Sequence, residues 1–407
     1  MNVLMISPGY PGEMPRFTRA LAAQGARVFG LGDQPGSSLP AEVRQALVAH
    51  LQVSDLWDEH AVVRHVLHEA NEAGIRFDRV ECLWEPAMFL AARLREALGA
   101  PGLNLEQTIP FRDKERMKQV LDAAGIRTPW HRRARTADEC REAAEECGFP
   151  VIVKPIAGAG SADTHRVDDR RQLERILPTM RHVDEVSVEE FVEGDEFTFD
   201  AICAGGEIVF ENIAFYRPRP IEEKTAWWIS PSSTCLRDIE APELRDGRRM
   251  GHAVLSALGY QNGFSHMEWY RRANGEVVFG EIGARPPGAR LVSAMNFACD
   301  VDLHAGWAEA VCHRRFTQPV QRRYNATILC KRAQGQGRIQ RMEGLDRLLA
   351  DLGSSIAALG IQPLGSLVGD WRGSAVSDGW VIVRHPELQT TFEIADRVAR
   401  ELQIYAG

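Results

Sequence analysis

The sequence lacks any apolar run approaching the roughly 20 residues needed to span a bilayer. It also lacks a basic N-terminal region followed by a long apolar core, so its start, "MNVLMISPGYPGEMPR", indicates a first strand and not an export signal. Positive charge is not in excess either. The formal net charge of -8 argues against general affinity for nucleic acid or for an anionic membrane surface.

Paired cysteines are absent as well. The eight cysteines are scattered singly, with no CxxC motif and no histidines at a zinc-ligand spacing. This pattern argues against a disulfide framework and against structural zinc, and it is typical of free thiols in a reducing compartment. We therefore expect a cytoplasmic protein that acts on small molecules, with no nucleic-acid or membrane partner.

Two common nucleotide-binding motifs are missing. The first turn, "SPGYPGEMP", has glycines but not GxGxxG, and the lysine in "VIVKPIAGAGSA" precedes its glycines, whereas the Walker lysine follows them. Phosphate recognition in this chain therefore needs another arrangement.

The chain has the length and patterning of a multidomain protein with α/β and α+β parts. Its 407 residues exceed one ordinary domain, and the first hundred alternate short apolar runs with helical patterns, which predicts a small parallel sheet. Later segments alternate apolar and polar residues around turn signals, which predicts antiparallel hairpins. We divide the chain into a Rossmann-like N-terminal domain (1–105), a linker helix with a small lid domain (106–187), a central antiparallel domain (188–320) and a C-terminal cap (321–407).

A lysine ends the buried strand in "FPVIVKPIAGAGSADTHRV". Lys154 brings an ammonium group to the strand end, where burial is costly unless an anion meets it. Gly158 and Gly160, together with Ser161, let backbone N–H groups approach such an anion. The pattern indicates a phosphate site, and an ordinary strand-to-loop connection is the alternative.

The segment "VEEFVEGDEF" combines a strand, a turn and carboxylates. Its backbone can present groups of Glu190 and Val192 to a planar base, and Glu196 can accept hydrogen bonds from hydroxyl groups. Acidic turn residues are also common on protein surfaces, which is the alternative interpretation.

Two glutamates lie on the arms of the hairpin "HMEWYRRANGEVVFGEIG". A two-residue turn at Asn274-Gly275 makes Glu268 and Glu281 direct cross-strand neighbours. Opposed like charges destabilise a sheet unless something neutralises them, and a hard divalent cation bound by oxygens does so. The pair therefore predicts a metal site. The alternative is an exposed pair screened by neighbouring arginines.

The loop "EIGARPPGAR" follows at once. Its prolines stiffen the chain and would hold Arg285 beside the metal and an anionic intermediate. Further residues are candidates for substrate contact, although the tryptophans suit packing equally well and Glu85 could simply cap a helix. These candidates are Glu85, Trp227, Trp228, His266, Trp269 and Arg290.

Taken in order, these segments resemble the ATP-grasp superfamily of carboxylate–amine ligases over essentially the whole chain. The resemblance rests on "RDKERMKQVLDAAGIRTP", "PVIVKPIAGAGS", "VEEFVEGDEF" and "HMEW…GEIGARPPG". The wording of "GFSHMEW" and "EIGARPPG" is most similar to the L-amino acid ligase group, which joins an amino acid to a second amine through an acyl phosphate. The resemblance implies the ATP-grasp fold, with a Rossmann-like N-terminal domain, a small lid domain and a central antiparallel sheet domain.

The resemblance also implies a role for each matching residue. Lys114 and Lys154 would hold the ATP phosphates under a lid formed by residues 157–162, with Lys154 also catalytic. Glu189 would lie near the adenine amino group, Glu190 and Val192 would contact the base, and Glu196 would bind the ribose. Glu268 and Glu281 would bind Mg²⁺, or Mn²⁺ in its place, and Arg285 would contact the transferred phosphate and the acyl intermediate.

One departure concerns the metal. Many members carry Asn two residues after the second glutamate, whereas this chain has Gly283, which leaves a second magnesium one ligand short. The expected reaction forms an acyl phosphate and ADP, after which an amine displaces phosphate. The alternatives are a purine-pathway or carboxylase-type ATP-grasp enzyme and a nucleotide-binding protein without catalysis. A homodimer is expected by analogy, and the two substrates are left open.

Overall fold

The computed structural model describes residues 1–158, 163–223, 228–370, 376 and 378–407. Gly160, Ser161 and Trp227, which the sequence singled out, lie outside the described residues. Within the described ranges, no helix combines the length and the hydropathy that a membrane crossing requires.

The N-terminal part forms a four-stranded parallel sheet in the order β3-β2-β1-β4. Its elements are β1 (Asn2–Ile6), α1 (Met14–Ala23), β2 (Arg27–Gly32), α2 (Ala41–Ala46), β3 (Leu47–Gln52), α3 (Glu59–Glu72), β4 (Arg79–Glu81) and α4 (Met88–Leu98). The apolar residues of β1 are fully buried, as expected for a parallel strand covered by helices on both faces. The predicted alternation of strands and helices is confirmed.

Two short helices connect this sheet to the next: α5 (Leu105–Arg112) and α6 (Lys114–Ala123). Asn104 begins α5 with a capping box, and the Asp113 side chain accepts hydrogen bonds from backbone N–H groups in the first turn of α6. The segment "APGLNLEQTIPF", which leads from the predicted N-terminal domain into the linker helix, is therefore partly helical.

A second sheet has the strand order β5-β8-β6-β7, and its neighbouring strands are antiparallel. Its elements are β5 (His131–Ala134), α7 (Ala137–Cys147), β6 (Val151–Pro155), β7 (His165–Val167), α8 (Arg170–Ile176) and β8 (Val186–Glu190). Lys154 pairs with Ser187 and Ile152 pairs with Glu189, so Lys154 and Glu189 are diagonal neighbours.

The largest sheet has eight strands in the order β13-β12-β9-β10-β11-β14-β17-β16. Its first elements are β9 (Asp195–Ala204), β10 (Glu207–Arg217), α9 (Pro220–Glu223), β11 (Ser232–Cys235), α10 (Arg245–Ala257), β12 (Gly263–Arg271), β13 (Val277–Gly283), α11 (Leu291–Cys299) and α12 (Leu303–His313). The C-terminal elements are β14 (Asn325–Lys331), β15 (Ile339–Glu343), α13 (Leu345–Leu352), β16 (Ile356–Ile361), β17 (Gly379–His385), α14 (Leu388–Glu401) and β18 (Gln403–Ala406).

This sheet continues past the predicted boundary at residue 320. Strands β14, β16 and β17 pair within it, whereas β15 and β18 form a separate two-stranded sheet. The division into four parts stays a prediction.

The hairpin β12–β13 pairs Glu268 with Glu281, as the sequence predicts, but by a different route. The turn has three residues and not two, because Arg272 N–H bonds to the Glu276 carbonyl and Gly275 adopts a φ of 87°. A bulge beyond the turn restores the register, and a Cβ at Gly280 would lie 2.8 Å from the Glu268 carbonyl oxygen. The longer turn shifts the register by one residue and the bulge shifts it back, so Glu268 and Glu281 still face each other.

Candidate active site

A cleft of about 950 Å³ collects residues from all three large sheets. Most of the residues singled out from the sequence line it: Glu85, Lys114, Lys154, Gly158, Glu189, Glu190, Val192, Glu196, His266, Glu268, Glu281, Arg285 and Arg290. Trp228 is not among the lining residues and is 70% exposed. Trp269 is fully buried in the core, where it stacks on Phe197.

Lysines and glutamates form a buried network at one side of the cleft. Lys154 Nζ lies 3.0 Å from Glu189 Oε2 and 3.7 Å from Glu281 Oε2. Lys114 Nζ lies 3.6 Å from the same Glu281 oxygen and donates a hydrogen bond of 2.7 Å to the Gly158 carbonyl. The network thus ties α6, the strand end at Lys154 and the start of the glycine loop together.

A third lysine, Lys118, was missed in the sequence. It is fully buried on α6 and donates a hydrogen bond of 2.8 Å to Glu189 Oε1. Both Glu189 oxygens are therefore engaged by lysines, although the resemblance implies a position near the adenine amino group. The spacing of the lysines could have revealed it, because Lys118 follows Lys114 by one helical turn and so lies on the same face of the helix.

The pKa values of this network reflect burial opposed by close counter-charges. Burial alone would raise the pKa of Glu189, but Lys118 and Lys154 outweigh it and hold that pKa well below its usual range. Burial lowers the pKa of Lys118 to about 8, against the pull of Glu189. For Lys154, burial is outweighed by Glu189 and Glu281, so its pKa is raised. Glu268 also raises the pKa of Lys154, so three lysines stand beside three glutamates and the ammonium groups are held close together by carboxylates.

Removing Lys118 should test this network without any ligand. Lys118→Met keeps the length of the side chain but leaves Glu189 Oε1 without its partner, which is costly for a buried carboxylate. We expect a loss of on the order of 3 kcal/mol in the free energy of unfolding, measured by urea denaturation at neutral pH. Arg116→Met, on the exposed face of α6, is the matched control and should change stability little. Equal stability of both variants and the unmodified protein would contradict this account.

The opposed carboxylates contact different partners. Burial raises the pKa of Glu281, but Lys114 and Lys154 outweigh it and lower the pKa to about 2. Glu268 Oε1 accepts a hydrogen bond of 3.1 Å from the Tyr216 hydroxyl. From sequence, only a metal or the nearby arginines were considered as neutralising charges. The structure adds lysines from two other elements.

These carboxylates fit a magnesium ion that shares its coordination with a substrate. Among the described residues, no group of three or more His, Cys, Asp or Glu side chains is arranged to hold a metal ion. Mg²⁺ commonly binds one or two carboxylates and completes its octahedron with phosphate oxygens and water. Glu268 and Glu281 offer that donor set on one face of a hairpin.

His266 is held by a buried aspartate that sequence reasoning missed. Its Nδ1 lies 2.6 Å from Asp200 Oδ1, and Asp200 also accepts hydrogen bonds from Thr198 and Asn212. Burial would lower the pKa of His266, but Asp200 and Glu268 raise it to about 9. Asp200 and His266 are paired across β9 and β12, and that pairing is visible only once the strand order is known.

Arg219 occupies the predicted nucleoside end of the cleft and was also missed. Its Nε lies 3.0 Å from Glu196 Oε2, and its Nη1 donates a hydrogen bond of 3.0 Å to the Val192 carbonyl. Burial and the nearby Glu268 raise the pKa of Glu196 to about 8, against Arg219. The Glu190 side chain instead pairs with Arg127 at 3.0 Å.

Arg285 and Glu85 meet at the centre of the cleft. Arg285 Nε donates a hydrogen bond of 2.7 Å to Glu85 Oε2, and Arg112 Nη1 donates one of 2.5 Å to Glu85 Oε1. A Cβ at Gly283 would lie 3.3 Å from Arg285 Cγ and 3.8 Å from Glu85 Oε2. A side chain at position 283 would therefore contact this ion pair directly, and the contact with Arg285 Cγ would be tight.

Arg290 follows in the same loop with left-handed backbone, at a φ of 59°. Its backbone N–H bonds to Glu13 Oε2 at 3.2 Å, which ties the loop to the start of α1. Its guanidinium stands 4.4 Å above the ring centre of Trp380 on β17.

Known proteins are similar to this chain in sequence and in fold. Residues 111–214 match the family described as "ATP-grasp domain". The crystal structure of an L-amino acid ligase from Bacillus licheniformis superposes with a TM-score of 0.81, at 20% identity, over 100% of this chain and 99% of that one. The chain therefore has the fold of these ATP-grasp relatives, and residues 111–214 match the ATP-grasp domain family.

Two further proteins are similar to this chain. The L-arginine-specific L-amino acid ligase of Bacillus subtilis is 25% identical over 261 residues, which is 62% of this chain and 62% of that protein. The structure of phosphoribosylglycinamide synthetase from Anaerococcus prevotii superposes with a TM-score of 0.71, at 15% identity, over 99% of this chain and 98% of that one. The chain spans less than two thirds of the length of the first curated relatives it matches, at 62% and 63%. The ATP-grasp fold predicted from sequence is confirmed.

Proposed function

We propose that this ATP-grasp protein is an ATP-dependent ligase that activates the carboxylate of an amino acid as an acyl phosphate and couples it to an amine. The supporting observation is that one cleft holds a network of lysines, two opposed carboxylates and Arg285. These are the groups that phosphoryl transfer to a carboxylate requires, since its catalysis consists mainly of positioning and charge neutralisation.

The nucleotide would lie between the second sheet and the eight-stranded sheet. Lys114 and Lys154 would bind its phosphates, because both ammonium groups line the cleft beside Glu281. The backbone of Glu190 and Val192 would contact the base. Glu196 would take the ribose hydroxyls after Arg219 releases it. Gly158 begins the loop that would cover the phosphates, with Gly160 and Ser161 beyond it.

Glu268 and Glu281 would hold Mg²⁺, which supplies charge neutralisation at the phosphate oxygens. Arg285 lies beside Glu85 and is fixed by it, so its guanidinium is oriented before any substrate arrives. That guanidinium would neutralise charge on the acyl phosphate and then on the tetrahedral oxyanion. No side chain of this chain needs to act as a nucleophile.

The chemistry proceeds in two displacements. A carboxylate oxygen of the substrate attacks the γ-phosphorus, the bond to ADP breaks, and an acyl phosphate forms. The amine nitrogen then attacks the acyl carbon, loses a proton, and expels phosphate to leave an amide. Closure of the cleft would exclude water, which otherwise hydrolyses the acyl phosphate.

A screen of amino-acid pairs tests this proposal. Purified protein with ATP, Mg²⁺ and a mixed amino-acid pool should release phosphate, and mass spectrometry should find one or more new amides. Lys154→Ala should release none above background and should bind ATP more weakly by calorimetry, at unchanged circular dichroism. Phosphate release that requires bicarbonate or a phosphorylated ribose would favour a carboxylase or purine-type reaction instead. ATP binding without turnover in every pool would contradict the ligase proposal.

A further inference from the structure

We propose that Tyr10, Trp57 and Trp84, here called the aromatic trio, bind the side chain of the carboxylate substrate, and that this side chain is large and apolar or aromatic. The inference rests on the proposed ligase function and names the substrate class that it takes. None of these three residues belongs to the groups proposed to bind the nucleotide, the metal or the acyl phosphate.

The trio lies at the edge of the N-terminal sheet where ligands are expected. Tyr10 follows β1, Trp57 follows β3 and Trp84 follows β4, and all three strands are parallel. The carboxyl ends of parallel strands share one edge, and ligands of open α/β sheets bind there, where the strand order reverses. In the order β3-β2-β1-β4 this reversal falls between β1 and β4, the strands that carry Tyr10 and Trp84.

Trp84 contacts both of the other rings, although the three residues come from separate loops. Tyr10 meets Trp84 edge-on with ring centres 5.5 Å apart, and Trp57 meets Trp84 at the same distance with a tilt of 53°. Tyr10 is 53% exposed and Trp57 is 57% exposed, so neither ring is a core residue. Clustered aromatic surface left open to solvent commonly marks a binding site.

Trp84 connects the trio to the reacting centre, since Tyr10 and Trp57 lie outside the residues that line the cleft and each contacts Trp84. Trp84 lines the cleft and is adjacent in sequence to Glu85, whose carboxylate binds Arg285. Since Arg285 is the group proposed to contact the acyl phosphate, the substrate portion nearest Glu85 belongs to the molecule being activated. Its side chain would extend from Arg285 past Trp84 toward the open faces of Tyr10 and Trp57. A large apolar side chain fits such faces, because aromatic rings gain by offset stacking and by covering apolar area.

Steady-state kinetics with two carboxylate substrates tests the inference. With ATP and one amine held saturating, the unmodified protein should use phenylalanine in preference to alanine by on the order of 10-fold or more in kcat/KM. Trp57→Ala and Tyr10→Ala should each lower kcat/KM for phenylalanine severalfold, mainly through KM, and leave alanine nearly unchanged. Trp84→Ala should show the largest selective loss. Trp84→Phe, which keeps a ring, should restore much of the preference.

Leu367→Ala is the control, because Leu367 is an exposed apolar residue of the C-terminal part that belongs neither to the trio nor to the residues lining the cleft. It should alter neither substrate. Equal losses for alanine and phenylalanine in the trio variants would overturn the inference, as would a size preference that appears only for the amine. Product formation from alanine with no preference for phenylalanine would overturn the inference alone. Absence of product from every pair would overturn the ligase function and the inference with it.

Discussion

Glu281→Gln is expected to reduce phosphate release at least about 100-fold, because losing one of two carboxylates that hold Mg²⁺ removes several kcal/mol of charge stabilisation. The β12–β13 hairpin should stay paired, since its register depends on the turn and the bulge at Gly280 and not on this carboxylate. Phosphate release at saturating Mg²⁺ is the measurement. Normal turnover of the variant would refute the metal assignment.

The same variant also bears on stability, for which the sequence and the structure predict opposite signs. Two opposed glutamates repel, which suggests that removing one charge stabilises the hairpin. In the structure, however, Lys114 and Lys154 lower the pKa of Glu281 to about 2, so the ionised form is favoured by folding. A depressed carboxyl pKa adds stability above the unfolded value, and this contribution is lost as the pH falls toward 2.

Glu281→Gln should therefore be less stable than the unmodified protein at pH 7 without metal, and the difference should shrink as the pH is lowered from 4.5 toward 2. Urea denaturation in a chelating buffer at two pH values measures it. Glu207→Gln, an exposed glutamate on the same sheet, serves as the control. A more stable Glu281→Gln at pH 7 would mean that repulsion from Glu268 outweighs the lysines.

Arg285→Lys should lower the rate of amide formation by on the order of 100-fold or more, the usual cost of losing an oxyanion contact. Lysine keeps the positive charge but lacks the planar fork that lets Arg285 bind Glu85 through Nε while its other nitrogens point elsewhere. ATP affinity by calorimetry should change little, because Lys114 and Lys154 are the groups proposed to bind the phosphates. Single-turnover product formation measures the chemical step.

Glu85→Gln tests how much the orientation of Arg285, as distinct from its charge, contributes to the rate. The variant leaves Arg285 charged but weakens the ion pair that orients it, so its rate should lie between those of Arg285→Lys and the unmodified protein. If Arg285→Lys and Arg285→Ala both form product at the unmodified rate, Arg285 is a structural loop residue only.

Features that depend on local sequence were predictable. Lys154 at a strand end, the glycines after it and the hairpin with two glutamates each follow from short-range patterns, and their order along the chain carried the family resemblance. The Glu268–Glu281 pairing was predicted from an assumed two-residue turn. The turn in fact has three residues, and the two glutamates still pair only because the bulge at Gly280 compensates for the extra residue.

Features that depend on distant segments were not predictable. Asp200 behind His266 and Lys118 beneath Glu189 join residues 66 and 71 positions apart. The helical spacing from Lys114 could have placed Lys118 on the same face, but no local pattern pairs either residue with its distant partner. The pairing of β14 with β11 likewise joins the C-terminal segment to the central sheet across the predicted boundary. Such contacts follow from strand order, which short-range patterns leave undetermined.

Transfer of oxygen-18 shows whether a substrate carboxylate attacks the γ-phosphate of ATP. A carboxylate substrate labelled in both carboxyl oxygens is turned over with ATP and an amine, and the released phosphate is analysed by mass spectrometry. An acyl phosphate pathway predicts that each phosphate released carries one labelled oxygen, and that the amide keeps the other. Unlabelled phosphate formed alongside the amide would contradict the account, because the carboxylate would then never have been phosphorylated.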